Sequence, residues 1–273
     1  MEMFADHAMG MLTTVGVMAV VFGLLALAMK RAAIVQAMHG MRGEFATNLG
    51  MAIINLILLA PLFTLSQGTL HGLLGAPASF VAFWDGMNEL LVLVLAILVY
   101  DFVAYWRHRL EHHPLLWRIH ATHHADTQLH WLSLLRKHPL AHFLAMALDL
   151  TLLLLLGFPA WAVGLASLIR SFWGYFIHAD VPWTLGLAGR WLMSPAAHRL
   201  HHIRDEELMG SNYANTVTLW DRLFGTYVDP APYLGCETGI AEGTRGLLGE
   251  LARPWEKRYR RSAKAAAEHK AVA

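Results

Sequence analysis

Residues 87–113 read MNELLVLVLAILVYDFVAYWRHRLEHH, and the reading of this stretch decides the fold. It opens as an apolar run, broken only by Glu89 near its start and Asp101 near its end. Its length suits a bilayer crossing, which takes about 20 residues at about 1.5 Å rise each. It closes in a histidine block, His108-Arg-Leu-Glu-His112-His113, which Pro114 stops. A single helix would therefore leave a membrane carrying imidazoles with it. On that helix Asp101, Tyr105, His108 and His112 share a face at i, i+4, i+7 and i+11, so Asp101 is expected to orient a ligand ring from behind.

Working outward, the same pattern recurs. No charge occurs from Ala8 to Met29, where Lys30-Arg31 close the run, and none from Phe45 to Trp84. The second run is expected to span to about Leu65. A Ser66-Gln67-Gly68 turn and a short loop or re-entrant piece over Gly72–Pro77 follow. Pro139–Leu156 and Ala160–Ile177 are two further apolar stretches, and the three residues Gly157-Phe158-Pro159 between them force an antiparallel hairpin. Of the 273 residues 56% are hydrophobic and 15% charged, against about 25% charged in soluble domains. Mean hydropathy is +0.41. Disorder, coiled coil and a disulfide scaffold are excluded, and the lone Cys236 removes CxxC-type zinc sites and iron–sulfur clusters. A net charge of +1 gives no reason to expect nucleic acid.

The fold class expected is all-α: a polytopic membrane bundle of four to five spans, the last two a hairpin, with a cytoplasmic helical cap carrying the histidines. Residues 1–86 would be N-terminal spans, 87–230 the catalytic domain and 231–273 a cytoplasmic basic tail. Lys and Arg fix the orientation: they follow the first, third and fifth stretches and avoid the intervening connections, which puts the N-terminus outside and the C-terminus and histidines inside. With Glu2 and Asp6 in place of early Lys or Arg, a cleaved signal peptide is not expected. Asp149 and Arg170, costly charges inside the hairpin, are expected to pair. The stretch from Arg253 to Lys270 reads as a solvated terminal helix or as one lying on anionic headgroups.

Seventeen histidines stand against 21 Lys plus Arg. Besides the first block there are His120-Ala-Thr-His123-His124 and His198-Arg-Leu-His201-His202, with His178 alone at the end of the fifth stretch. Residues four apart share a helix face, which pairs His108 with His112, His120 with His124 and His198 with His202. So many neutral donors exceed what one tetrahedral ion needs and suit two metals of about four or five nitrogens each. No HExxH occurs, so a zinc protease of that kind is unsupported. A haem protein would need single histidines on facing spans, and a metal transporter would need ligands at mid-membrane. His113 reads as a headgroup or solvent contact, His138 with Pro139 as a helix start. His142, which shares a face with His138, and His130 are weak candidates.

These blocks, with Asp101-Phe-Val-Ala-Tyr105-Trp106-Arg107-His108-Arg109, Leu116-Trp117, Asn212-Tyr213 and the segment Leu219-Trp220-Asp221-Arg222-Leu223-Phe224-Gly225-Thr226-Tyr227, resemble the fatty acid hydroxylase/sterol desaturase superfamily over about Met87–Asp229. Members of that superfamily are membrane non-haem di-iron enzymes that use O2 to hydroxylate or desaturate C–H bonds of lipids. The resemblance implies His108, His112, His120, His123, His124, His198, His201 and His202 as ligands and His178 as a ninth. Asp101, Tyr105, Asn212 and Asp221 would support them. It also implies two iron ions (zinc substituting after overexpression), O2 as co-substrate and a lipid or sterol-like substrate. No GxGxxG or flavin motif is present, so a separate donor is expected, a ferredoxin or a b-type cytochrome with its reductase. The rival readings are a sterol- or carotenoid-directed desaturase or hydroxylase of the same superfamily, and a non-catalytic membrane metal-binding protein.

Overall fold

A computed structural model describes residues 2–30 and 40–258. Among these the chain is helical: α1 (Glu2–Lys30), α2 (Arg42–Leu74), α3 (Ala78–Asp85), α4 (Glu89–Glu111), α5 (Pro114–His124), α6 (Pro139–Leu155), α7 (Ala160–Ile177), α8 (Pro195–His201), α9 (Leu219–Leu223) and α10 (Leu247–Ala252). No β-strand occurs among the described residues, only the isolated bridges Leu192–Val217 and Ile203–Thr238. The tail beyond residue 258, on which the expected terminal helix largely falls, lies outside the described residues.

The helix starts follow local chemistry. Asn88 opens α4 by accepting from the N–H groups of Leu90 and Leu91. Helices α5, α6 and α8 each begin with proline behind a capping residue, His113, His138 and Ser194 respectively. Proline pushes the preceding residue into an extended conformation and needs no N–H in the first turn. His113 and His138 are therefore caps, and neither belongs to the histidine groups described below.

The second apolar run differs from expectation. Helix α2 passes through Pro61 and the Ser66-Gln67-Gly68 segment without a turn and ends only at Gly75. Serine, glutamine and a single glycine are tolerated inside a helix, whereas the Gly75-Ala76-Pro77 sequence is not, because Pro77 denies its predecessor the helical conformation. Helix α3 follows and closes onto the α6–α7 hairpin. Trp84 Nε1 donates to the Leu156 carbonyl at 2.8 Å, and its ring stacks on Phe158 at 4.0 Å between centroids. Gly157 turns the hairpin at φ +71, and a Cβ there would approach the backbone of Phe80 at 3.1 Å, so this position requires glycine twice over.

Helix α4 is the central post, lying against both α6 and α7, while α2 covers α6. The polarity is inverted relative to a water-soluble core: Asp101 is 0% exposed while Leu90 is 69% exposed. Among the described residues two helices, α4 and α7, are long and apolar enough to cross a membrane, and Leu12–Ala28 and Pro139–Leu155 are shorter apolar helices.

The expected Asp149–Arg170 pair is not formed. Arg107 takes Asp149 with two hydrogen bonds, Nε at 2.7 Å and Nη2 at 3.0 Å, and Arg170 is bonded to Asp101. The reason is lateral order. With α4 set between α6 and α7, its own charged residues meet each hairpin charge before the two hairpin charges can meet each other. Removing one member of a buried pair typically costs about 3–5 kcal/mol. Asp149→Asn should therefore lower the thermal midpoint in detergent. Adding Arg107→Gln should recover part of the loss, whereas adding Arg170→Gln should deepen it additively.

Candidate metal centre

The nine histidines assigned by motif are brought together at the cap end of α4 and α7. Among the described residues they form two groups: His108, His112, His120, His124 and His201 in one, His123, His178, His198 and His202 in the other. The helix-face pairs expected from spacing stay together, and the consecutive pairs divide. His123 and His124 go to different groups, as do His201 and His202, because neighbours on a helix point about 100° apart. The groups touch: the His124 and His202 rings stack at 4.4 Å between centroids, and those of His198 and His201 at 5.4 Å.

Backbone carbonyls decide the tautomers. Nδ1 of His108 lies 2.7 Å from the Tyr213 carbonyl, Nδ1 of His201 2.7 Å from that of Ser211, and Nδ1 of His178 2.7 Å from that of Gly174. A carbonyl only accepts, so each of these nitrogens carries the proton and each Nε2 presents a lone pair. Burial, followed by the neighbouring imidazoles, holds His123, His124, His198 and His202 well below the ordinary histidine range. Burial also takes His201 to about 3, against the opposing hydrogen bond from Ser211. These rings are neutral at physiological pH and compete well for a cation.

The bare nitrogens nevertheless crowd together. Nε2 of His201 stands 3.0 Å from that of His108, which is 3.1 Å from that of His120; His124 is 3.1 Å from His120. In the second group Nε2 of His178 is 3.0 Å from that of His198 and 3.4 Å from that of His123. His108 and His201 both keep the proton on Nδ1, so their facing Nε2 lone pairs cannot hydrogen-bond to each other. Nitrogens bound at about 2.0–2.1 Å to one ion would be separated by about 2.9–3.4 Å at angles of 90–110°. The spacing fits a cation in each group. Buried nitrogens left without any partner, His112 Nε2 and both nitrogens of His202, fit the same reading.

The supports differ in part from those expected. Asp101 faces no imidazole: it binds Arg170 and accepts from the N–H groups of Thr216 and Val217, holding their loop on α4. Asp221 and Tyr105 act on His108 at one remove. Asp221 accepts from Tyr213 N–H at 2.7 Å and from the Thr226 hydroxyl, which in turn accepts from Tyr105. Asn212 sits at φ +51 between the two orienting carbonyls. Its amide donates to Ala197 and Val228 carbonyls and accepts from Val228 N–H, fixing the turn that presents Ser211 and Tyr213. Sequence reasoning missed Glu111, whose carboxylate lies 3.1 Å from His120 Nδ1 and is held in turn by Arg107 at 2.8 Å. Its position four residues after Arg107 was the available signal. Of the weaker candidates, His130 is buried against Phe45 and Asn48, and His142 lines a cavity without joining either group.

That cavity, about 460 Å³, reaches His108, His120, His123, His178 and His198 from the bundle side, between α2, α4, α6 and α7. Both histidine groups are thus accessible to one bound molecule.

The comparisons with known proteins agree with this picture. The fatty acid hydroxylase family model matches residues 93–226. The chain is similar to an ornithine lipid hydroxylase of Rhizobium tropici, 30% identical over 182 residues, covering 66% of this chain and 55% of that protein. It is 34% identical over 134 residues to the human alkylglycerol monooxygenase, covering 48% of this chain and 29% of that one. It is 31% identical over 139 residues to a probable Delta(7)-sterol 5(6)-desaturase of Neurospora crassa, covering 50% and 38% respectively. With its fatty acid hydroxylase domain the chain belongs to the fatty acid hydroxylase/sterol desaturase superfamily. It spans about half the length, or less, of these curated relatives. No solved structure matches it.

Loss of a carboxylate behind a ligand imidazole typically costs about 10–100-fold in metal affinity. Glu111→Gln should therefore lose metal to a chelator far faster than wild type, measured as metal per chain after dialysis. His113→Ala, which alters a cap, should retain it.

Proposed function

We propose that the protein is a membrane di-iron oxygenase that hydroxylates, or desaturates, an unactivated C–H bond of a lipid. The observation that carries this reading is the pair of adjoining, all-nitrogen histidine groups opening on one cavity in the bundle. The relatives support the substrate class, since their names specify an ornithine lipid, an alkylglycerol and a sterol. The nine histidines would be the ligands, and the catalytic unit would extend over residues 87–230.

Iron bound in both groups would supply reduction of O2 and attack on the C–H bond. The protein's own contribution is positional. The Tyr213, Ser211 and Gly174 carbonyls keep the Nδ1 protons of His108, His201 and His178, so these rings cannot rotate or change tautomer as charge moves. Glu111 holds the Nδ1 side of His120 and fixes the orientation of that ring. Burial of the histidine layer excludes bulk water that would intercept a reactive oxidant. The cavity brings the tail from the bundle side, so electrons would come from the opposite, cap side, delivered by a separate ferredoxin or cytochrome. The Lys/Arg distribution orients the cap to the cytoplasm in a multi-pass arrangement.

Purified protein reconstituted with ferrous iron should hold two irons per chain and consume O2 with a reductant and lipid. His198→Ala should lose iron from one group and abolish turnover. Iron reconstitution without any oxygen chemistry would overturn the reading. Zinc alone after overexpression would not, because imidazole sites hold zinc more tightly than ferrous iron. Orientation is checked separately: with Cys236 replaced, a cysteine at Ala76 should be labelled from outside intact cells and one at Glu206 only after permeabilisation.

A further inference from the structure

One wall of the cavity has no part in holding the histidines. It is formed where the chain enters α6, at Arg136-Lys137-His138. The residues on either side of Lys137 are pinned. The buried Arg136 guanidinium is bonded to Glu44, to the Thr122 carbonyl at 2.8 Å, to Thr244 at 2.7 Å and to Glu250 at 2.8 Å. His138 Nε2 meets the Leu251 carbonyl at 3.1 Å while Nδ1 caps α6. The Lys137 carbonyl itself accepts from Asn55 Nδ2 at 2.8 Å. The backbone of Lys137 is thereby fixed, and its side chain lines the cavity.

The other charges on this wall are matched. Arg107 is bonded to Asp149 and Glu111, and Arg170 to Asp101. Lys137, by contrast, makes no ion pair and no hydrogen bond through its ammonium, feeling Glu111 and Asp149 only at longer range. Beside it on the same wall, the His142 ring makes no hydrogen bond, and Asn55 Oδ1 is buried without a partner, its Nδ2 being committed to the Lys137 carbonyl. Two potential donors, the Lys137 ammonium and the His142 ring, thus face one part of a cavity that also touches the histidines, with Asn55 Oδ1 placed to accept from the ammonium rather than from a ligand. Donors that face a closed-in cavity without a protein partner are available to a ligand. Charge specifies which partner. Three cations, Arg107, Lys137 and Arg170, balance three carboxylates, Asp101, Glu111 and Asp149, so any cations held by neutral imidazoles leave the region positive.

We infer that Lys137, with the His142 ring beside it, is the docking point for an anionic lipid head group, phosphate or carboxylate. The distance from that anchor to the histidines would then select which carbon is oxidised. This rests on the oxygenase reading above for the word substrate, but binding can be measured without turnover. Lys137 is a positioning residue and touches no metal ligand.

The test uses zinc-loaded protein in a neutral detergent, with binding of dodecyl phosphate, dodecanoate and dodecanol measured calorimetrically. A charge-assisted contact in a buried site corresponds to about tenfold or more in affinity. Wild type should bind at least one of the two anions about tenfold more tightly than dodecanol, and which one identifies the head-group chemistry. Lys137→Met should bind all three alike while keeping its metal content, and Lys137→Arg should retain a preference for the anion. Equal binding of all three probes by wild type would overturn the inference, whatever becomes of the variants. So would an anion preference that survives in Lys137→Met. Failure of O2 chemistry with the preference intact would instead count against the oxygenase reading alone.

Discussion

Lone pairs of neutral imidazoles repel, yet this protein holds the bare Nε2 atoms of His108 and His201 3.0 Å apart, and crowds His178 and His198 as closely in the second histidine group. Everything around the cap serves that constraint. A helix presents residues four apart on one face and adjacent residues on different faces, which is how three short blocks feed two neighbouring groups. Helical placement alone leaves the rings free to spin and to exchange protons. The loop through Ser211, Asn212 and Tyr213 removes that freedom. One left-handed residue, Asn212, turns the carbonyls on either side of it, those of Ser211 and Tyr213, towards His201 and His108, and its own amide is bonded on both sides so that the turn cannot relax.

The charges inside the bundle extend the same rigidity downward. Asp149, Arg107, Glu111 and His120 form a continuous chain from the middle of α6 to a ring in the first histidine group. Asp101 with Arg170 fastens the loop of Thr216 and Val217 to α4 and α7. Neither set of charges sits cheaply in an apolar surrounding. Each is retained where it connects a helix to the element that orients a ligand.

The histidine layer was legible in the sequence because its signal is local. Tandem imidazoles at helical spacing need no knowledge of the fold, and Pro114 and Pro139 mark a helix stop and a helix start by sterics alone. The partners of the buried charges were not legible. Pairing Asp149 with Arg107 and Arg170 with Asp101 depends on which helix stands between the hairpin arms, and hydropathy records depth without recording lateral order. Glu111 was hidden for a related reason: its ring partner, His120, lies beyond the Pro114 break, so no helical periodicity connects the two. The length of α2 was misread because serine, glutamine and glycine look like a turn when counted, although only a Gly-Ala-Pro sequence compels one.

Arg136 carries a consequence of a different kind. Its guanidinium joins Glu44, near the start of α2, to Glu250, in the last helix described. Thr122, two residues before the His124 ligand candidate, is bound by the same two residues, its carbonyl to Arg136 and its hydroxyl to the Glu250 backbone. Segments 200 residues apart in the chain therefore meet behind the histidines. During synthesis the ribosome delivers α2, the two central helices and all nine histidines well before residue 250 emerges. The layer must wait, with its fully buried arginine half-partnered, for the end of the chain to arrive. Ribosome-bound intermediates that stop short of residue 250 would thus hold the imidazoles without their final clamp.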